Sequence, residues 1–325
     1  MDNALRITAF TAALAAVFGT AYGVGGAMDP VAADSRAAGE GAHDPASDGH
    51  REPDEGGGRA PEGGGRDDAA GGLAVSEGGY TLALDTPRVR AGARSELRFS
   101  VLDARGRKVT AYDTEHGKEL HFIVASRDLA VYRHLHPSRA ADGTWSVRTT
   151  LPEAGGYRAL ADFRPAKAEG VTLGADLAVA GPADPAPLAP ASRTAVVDGY
   201  RVRLSGTLRP GVEGELGFTV TRAGRPVTDL QPYLGAYGHL VALRSGDLAY
   251  LHVHPNGGPG EGTSEPGSEV SFTATAPSTG SYRLFLDFRH EGKVRTAAFT
   301  VRADSAADPG AETSPKAPQS DGHAH

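Results

Sequence analysis

HFIVASRDLAVYRHLHP, residues 121–137, and HLVALRSGDLAYLHVHP, residues 239–255, are two copies of one pattern. Each copy opens on a histidine, runs through an apolar segment to a polar turn, and returns through a second apolar segment to His-x-His-Pro. The chain has 12 histidines, and six of them occupy matching positions in the two copies. Two apolar runs joined by a polar turn predict a β-hairpin, so we expect an all-β protein built from two related domains.

The hairpin geometry predicts a cluster of imidazoles. A first turn centred on Arg127-Asp128 would place His121 directly opposite His134, with Cβ atoms about 4.5–5.5 Å apart. His136 follows on the same face, because side chains in a strand alternate with a period of two. A second turn centred on Ser245-Gly246 repeats the arrangement. We therefore predict one metal site in each domain, formed by His121, His134 and His136 in the first and by His239, His252 and His254 in the second.

The composition limits the metal. There is no cysteine, and the only two methionines are Met1 and Met28. Disulfides, thiolate sites, blue-copper centres and methionine-rich Cu(I) sites are therefore excluded. Imidazoles without thiolates suit Cu(II), Zn(II) or Ni(II), and we expect copper before zinc.

Asp162 and Asp287 are the acidic partners that the pattern offers, since each lies in a strongly apolar segment where a bare carboxylate would be costly. Each could bind the metal, or accept the second N–H of a ligating histidine. An ion pair with Arg164 or Arg289 is the alternative. His116 and Glu119 are further options in the first domain only, and a hydrogen-bonded histidine cluster without metal is the alternative for the whole site.

The repeat extends beyond the histidines. Short apolar runs separated by Gly, Asp and Pro predict about seven strands in each domain, the pattern of an immunoglobulin-like β-sandwich. Pro152-x-x-Gly155-x-Tyr157 and Pro277-x-x-Gly280-x-Tyr282 each place a tyrosine just before a strand. This spacing predicts a tyrosine corner in both domains.

Composition divides the chain into six segments. They are a membrane anchor or signal peptide at 1–28, a disordered acidic Gly-rich tether at 29–72, a first β-sandwich at 73–181, a Pro/Ala linker at 182–196, a second β-sandwich at 197–303, and a disordered tail at 304–325 that ends in His-Ala-His. The first segment is long enough to span a membrane, and its Gly25-Gly26-Ala27 could also be a cleavage site. Either alternative places the domains outside the cytoplasm, at the membrane or secreted.

Several functions are disfavoured. A formal charge of −7 and scattered basic residues give no surface for nucleic acid. No Gly-rich phosphate loop, catalytic triad or Glu-bearing zinc motif is present, so we do not expect an enzyme.

The domains resemble a group of predicted secreted or membrane-anchored proteins of high-GC actinomycetes. The likeness covers 73–303 and rests on KELHFIVASRDL, YRHLHP, DGTW, YLGAYGHLVALRSGDLAYLHVHP and YRLFLDF. More loosely, the domains are similar to YtkA-like and CopC-like β-sandwiches, although the methionine-rich region of CopC-like proteins is missing. This resemblance implies capture or buffering of copper outside the membrane.

The sequence therefore predicts a membrane-tethered, extracytoplasmic metal-binding protein that captures, buffers or delivers copper or zinc. A membrane metal transporter or a cuproenzyme is the expected recipient. Ligating histidines must be neutral, so we expect binding to weaken as pH falls through about 6.5. The alternative is a metal-free cell-surface module that binds a protein or glycan through its two immunoglobulin-like domains.

Overall fold

The computed structural model describes residues 70–251, 253–257 and 267–304, and every regular element in these ranges is a β-strand. The predicted anchor or signal peptide, residues 29–69 of the tether, residues 305–325 of the tail and His252 lie outside them. In the described part of the chain no helix is long and apolar enough to cross a membrane.

The first domain contains eleven strands. They are β1 Ser76–Glu77, β2 Tyr80–Leu84, β3 Arg88–Arg90, β4 Arg94–Leu102, β5 Tyr112–Asp113, β6 Leu120–Ser126, β7 Tyr132–Leu135, β8 Ser138–Arg139, β9 Thr144–Thr150, β10 Gly155–Pro165 and β11 Val171–Ala180.

The second domain repeats this order with ten strands among its described residues. They are β12 Thr194–Val197, β13 Tyr200–Gly206, β14 Gly214–Arg222, β15 Arg225–Pro226, β16 Gly238–Arg244, β17 Tyr250–Leu251, β18 Val253–Pro255, β19 Glu269–Ala274, β20 Gly280–His290 and β21 Lys293–Ala303.

Each domain is a sandwich of two sheets, as predicted. The outer sheets have the strand orders β1-β2-β4-β9-β8 and β12-β13-β14-β19-β18, with β15 added at β14. The inner sheets have the orders β3-β11-β10-β6-β7, with β5 added at β10, and β17-β16-β20-β21. Except for the parallel pair β3–β11, the strand pairs of the described residues are antiparallel. The chain thus forms two tandem immunoglobulin-like β-sandwiches.

Tyrosine corners close both sandwiches, which confirms the prediction from the Gly-x-Tyr spacing. The hydroxyl of Tyr157 donates to the carbonyl of Glu153 over 2.8 Å, and that of Tyr282 donates to the carbonyl of Ser278 over 2.8 Å. Both tyrosine side chains are buried in the core of their own domain. The hydroxyl is therefore satisfied while the ring contributes apolar area to the core.

The inner sheets of the two domains pack against each other. All seven residues of β6 are buried, because Phe122 and Val124 face their own core while Ile123 and Ala125 face the second domain. A strand covered on both faces reads as a continuous apolar run instead of an alternation. The cluster between the domains contains Ile123, Ala125, Leu129, Tyr132, Leu160, Val241, Leu243, Leu248, Tyr250 and Phe285.

The centre of this interface is an aromatic stack across the two domains. The rings of Tyr132 and Phe285 lie 3.9 Å apart between centroids and are almost parallel, at 6°. Part of the linker also contacts this region, since Leu188 packs against the interdomain cluster. The two sandwiches are therefore joined by packing as well as by the chain.

The hairpin register differs from the prediction by two residues. His134 pairs with Ile123 instead of His121, because the turn is centred after Asp128 and passes through Leu129 at φ 59°. Asp128 fixes this turn by accepting the backbone N–H of Ala130 over 3.1 Å. Since the side-chain period of a strand is two, the shift moves the histidines along the strands but leaves them on the predicted face.

Candidate metal centre

Three predicted histidines of the first domain meet at the interdomain interface. His121 is on β6, His134 is on β7, and His136 follows β7 directly. One ring nitrogen from each lies within 4.8 Å of the others. The face of β6 that carries His121 is the face that packs on the second domain, so the cluster lies between the two sandwiches.

The contact between His121 and His134 is chemically unusual. The Nδ1 of His134 lies 2.9 Å from Oδ2 of Asp287, and an ionised carboxylate can only accept, so this nitrogen carries the proton. The Nε2 of His121 lies 3.2 Å from the carbonyl oxygen of Glu115 and donates in the same way.

The two remaining nitrogens, Nδ1 of His121 and Nε2 of His134, lie 3.1 Å apart, and a proton on either one makes this contact a hydrogen bond. A metal ion could replace that proton if it lay to one side of the line that joins the two nitrogens. Both nitrogens at this separation can lie about 2.0–2.1 Å from one ion, the usual length of a bond between zinc and histidine.

Two further nitrogens of the cluster are buried without a hydrogen-bond partner. They are Nε2 of His136 and Nε2 of His239, which lies on β16 of the second domain. The His239 ring is 4.7 Å from that of His134 and 5.2 Å from that of His121, between centroids. Buried polar atoms normally have partners, so each of these nitrogens is available to accept a hydrogen bond or to bind a metal ion. The three first-domain nitrogens, which lie within 4.8 Å of one another, suit one late first-row divalent ion, and the His239 ring stacks beside them.

Burial keeps three imidazoles of this cluster uncharged. It lowers the pKa of His121 to about 4, with help from the nearby His134, and lowers the pKa of His136 to about 3. It also holds the pKa of His239 well below its usual value. These three imidazoles are neutral at pH 7, which is the form that binds metal. Protons compete with a metal ion for an ordinary histidine at a pH of about 6.5 and below. At His121 and His136 this competition begins at a lower pH, because their pKa values are lower.

The two aspartates occupy equivalent positions but have different partners. Asp287 pairs with His239 in the strand register, and its carboxylate accepts from His134 and from Thr296. Asp162 accepts from Thr172 over 2.7 Å and from the Tyr250 hydroxyl over 3.4 Å. Asp287 thus orients His134, while Asp162 is tied to hydroxyl groups.

The second predicted cluster is corrected for its two described members, because His239 and His254 lie in different sheets of the second domain. His239 lies against the histidines of the first domain instead. His254 is exposed on β18, which pairs with β19 in the outer sheet. His252 lies outside the described residues. The reason is that β18 leaves the inner sheet after β17, so the two ends of the repeated segment belong to different sheets.

The charged alternatives in the first domain also have other partners. Glu119 forms a two-pronged contact with Arg139, at 3.1 and 3.0 Å, which excludes it from the cluster. Arg164 pairs with Glu115 at 2.8 Å instead of with Asp162.

The position of His239 beside the first-domain histidines was not predicted from the sequence. The signal that could have revealed it is the apolar character of β6 and β16 on both faces, since HFIVAS and HLVAL leave no polar face for solvent. Two such strands in two related domains indicate face-to-face packing. That packing brings the leading histidines of the two repeats together.

Comparison with known families agrees with the repeat. The family model described as "Domain of unknown function (DUF8832)" matches residues 74–180 and again residues 195–305. The chain belongs to this family. Each DUF8832 domain corresponds to one sandwich, and the histidine cluster lies where the two DUF8832 domains meet. No curated protein matches the chain in sequence.

Solved structures resemble the DUF8832 pair only distantly. The Escherichia coli adhesin FdeC is 17% identical, covering 71% of this chain and 66% of that one, with a TM-score of 0.23. InvD of Yersinia pseudotuberculosis is 16% identical, covering 74% and 62%, with a TM-score of 0.22. Invasin, described as a bacterial integrin-binding protein, is 12% identical, covering 70% and 39%, also with a TM-score of 0.22. The chain spans two thirds or less of each of these proteins, and likeness at these TM-scores supports no functional conclusion.

Proposed function

We propose that the chain binds a single divalent copper or zinc ion between its two DUF8832 domains and acts in metal capture, buffering or delivery outside the cytoplasm. The observation that carries this proposal is that three ring nitrogens, one each from His121, His134 and His136, lie within 4.8 Å of one another. A metal ion at this point would bind all three residues and would provide a partner for the buried Nε2 of His136.

The burial of the donor set favours storage or transfer over catalysis. His121 is buried and the His239 ring stacks beside it at the domain interface, so an ion held by the three first-domain imidazoles would be shielded from a substrate. Asp287 would fix the tautomer and orientation of His134, the role that carboxylates take behind metal-bound histidines. The ion itself would supply only its charge and its affinity for neutral imidazole.

The cellular setting is part of the proposal. A location at the outer face of the membrane, or secretion, follows from the N-terminal apolar segment of the sequence, and a membrane transporter or a cuproenzyme would be the recipient. Thiolate ligands can be lost by oxidation in this setting, and a chain with no cysteine would avoid that loss by binding its ion through imidazoles.

The test uses the full chain with the histidines outside the described residues at 43, 50, 323 and 325 replaced by alanine, so that only the domains offer imidazoles. Competition with a chromophoric chelator then gives the affinity for Cu(II) and Zn(II). The His134→Ala/His136→Ala variant should lose tight binding, whereas His254→Ala, which changes an exposed histidine of the outer sheet, should retain it.

The melting temperature separates this function from the alternative of a metal-free surface module. A metal ion that binds only the folded chain stabilises it by mass action. At a free metal concentration of 100 times Kd, the free energy of unfolding rises by about 2.7 kcal/mol, and the melting temperature rises with it. A metal-free interaction module predicts no change on metal addition. An unchanged melting temperature together with no measurable affinity would reject the proposed function.

A further inference from the structure

His116 is the exposed member of the histidine cluster. Its ring centroid lies 6.1 Å from that of His121 and 5.8 Å from that of His239. His121 is buried, and the Nε2 atoms of His136 and His239 are shielded from solvent. His116 therefore lies between the solvent and the buried nitrogens.

The turn that carries His116 has a counterpart in the second domain. Backbone hydrogen bonds of 2.9 and 3.0 Å join Glu115 and Lys118, and His116 has a φ of 50°. In the second domain Tyr233 and Ala236 are joined in the same way, and Leu234 has a φ of 57°. Because leucine occupies the equivalent position, the shape of the turn does not require an imidazole.

The two turns also touch each other at the domain interface. A Cβ atom added to Gly235 would lie 3.8 Å from the Cα of His116, so the first-domain turn rests on the second-domain turn. His116 is thereby held beside a ligand of each domain, His121 and His239. A fully hydrated ion needs a path into a buried site, and a ligand at the surface can replace its first water molecules.

We propose that His116 is the capture ligand of this site, which binds the hydrated divalent ion at the surface and passes it to His121 and His239. This inference rests on the proposed function and adds the route by which the ion enters and leaves. A group on the path acts in both directions, so its removal changes both rate constants and leaves the equilibrium nearly unchanged.

The test measures rates on the full chain with alanine at positions 43, 50, 323 and 325. Stopped-flow mixing with Cu(II) or Zn(II) gives the association rate, and transfer of the ion to an excess of a chromophoric chelator gives the dissociation rate. The variants are His116→Leu, which copies Leu234 of the sister turn, and His116→Asn, since asparagine tolerates positive φ. The matched control is His254→Ala.

Both His116 variants should slow association and dissociation by the same factor, roughly tenfold, and keep Kd within about twofold, because affinity and rates are separable properties. The control should leave both rates unchanged. Unchanged rates in both variants, or a rise in dissociation rate alone with weaker affinity, would overturn the capture role while leaving the proposed function intact. If the parent chain binds no metal, the proposed function fails, and the capture role fails with it.

Discussion

His134 of the first domain and Asp287 of the second form a hydrogen bond across the domain interface, 2.9 Å from Nδ1 to Oδ2. Both side chains are only 3% exposed. The other oxygen of Asp287 accepts the hydroxyl of Thr296, so the carboxylate is fixed from its own domain while it orients a histidine of the other. The relationship makes the geometry of the proposed site depend on both domains.

Asp287→Asn should therefore weaken metal binding. The amide keeps the size of the side chain but loses the charge that orients His134 and strengthens it as a ligand. Loss of such a supporting partner usually lowers metal affinity by about 10–100-fold. The affinity for Cu(II) or Zn(II) is measured by chelator competition.

Asp162→Asn is the matched control, because Asp162 occupies the same repeat position but accepts from Thr172 and Tyr250. Its affinity should stay within about threefold of the parent, well under the loss typical of a metal-supporting carboxylate. Equal losses in both variants would mean that Asp287 has no special role at the site.

Phe285→Ala should destabilise the chain strongly. Phe285 is 3% exposed and stacks on Tyr132 of the other domain. Removing a buried phenylalanine side chain costs about 3–5 kcal/mol. Urea unfolding followed by circular dichroism measures this, with Val196→Ala as the control, since Val196 is 67% exposed and should change stability by less than about 0.5 kcal/mol. A similarly small loss for Phe285→Ala would show that the domains do not pack in this way.

The metal-free protein should lose stability in mild acid. His121 has a pKa of about 4 and His136 of about 3 in the folded chain, against 6.5 without burial. As pH falls from about 6.5 towards 4, the unfolded chain takes up protons that the folded chain refuses, so the free energy of unfolding falls. Melting temperatures across this range measure it. The His136→Asn variant should show a shallower decrease, and an equal slope in both proteins would contradict the burial of His136.

The same pKa values lower the pH at which the protein is expected to lose its metal ion. Because His121 and His136 compete with protons only near pH 4 and below, their contribution to metal affinity should persist at pH 5.5. Chelator competition at pH 7.5, 5.5 and 4 follows this contribution. The metal affinity of the parent protein should fall steeply near pH 4, and the weaker affinity of the His121→Ala/His136→Ala variant should not. If the affinity of the parent protein does not fall near pH 4, these two residues are not ligands.

Much of the fold is predictable because it depends on local patterns. The alternation and turn signals of each domain indicate a sandwich, and Gly-x-Tyr spacing identifies Tyr157 and Tyr282 as tyrosine corners. The hairpin register is less accessible, because it depends on Asp128 accepting the N–H of Ala130 and on Leu129 taking a positive φ. The sequence of the loop does not show at which residue such a turn will form.

The site was only half predictable for a related reason. The shared face of His121, His134 and His136 follows from the period of two, which a register shift of two preserves. The contribution of His239 depends on how one sandwich packs on the other, and the position of His254 depends on a strand that changes sheets. Neither is encoded in the spacing of the histidines, which is the same in both repeats.

The most direct test of a single site between the domains is the number of ions bound tightly by the full chain, with alanine at positions 43, 50, 323 and 325, beside its His239→Ala variant. Isothermal titration with Cu(II) and Zn(II) should give one equivalent per chain, and His239→Ala should weaken that binding by about 10-fold or more although the three first-domain histidines remain. Two independent equivalents, or an unaltered affinity in His239→Ala, would contradict a site shared by the two domains.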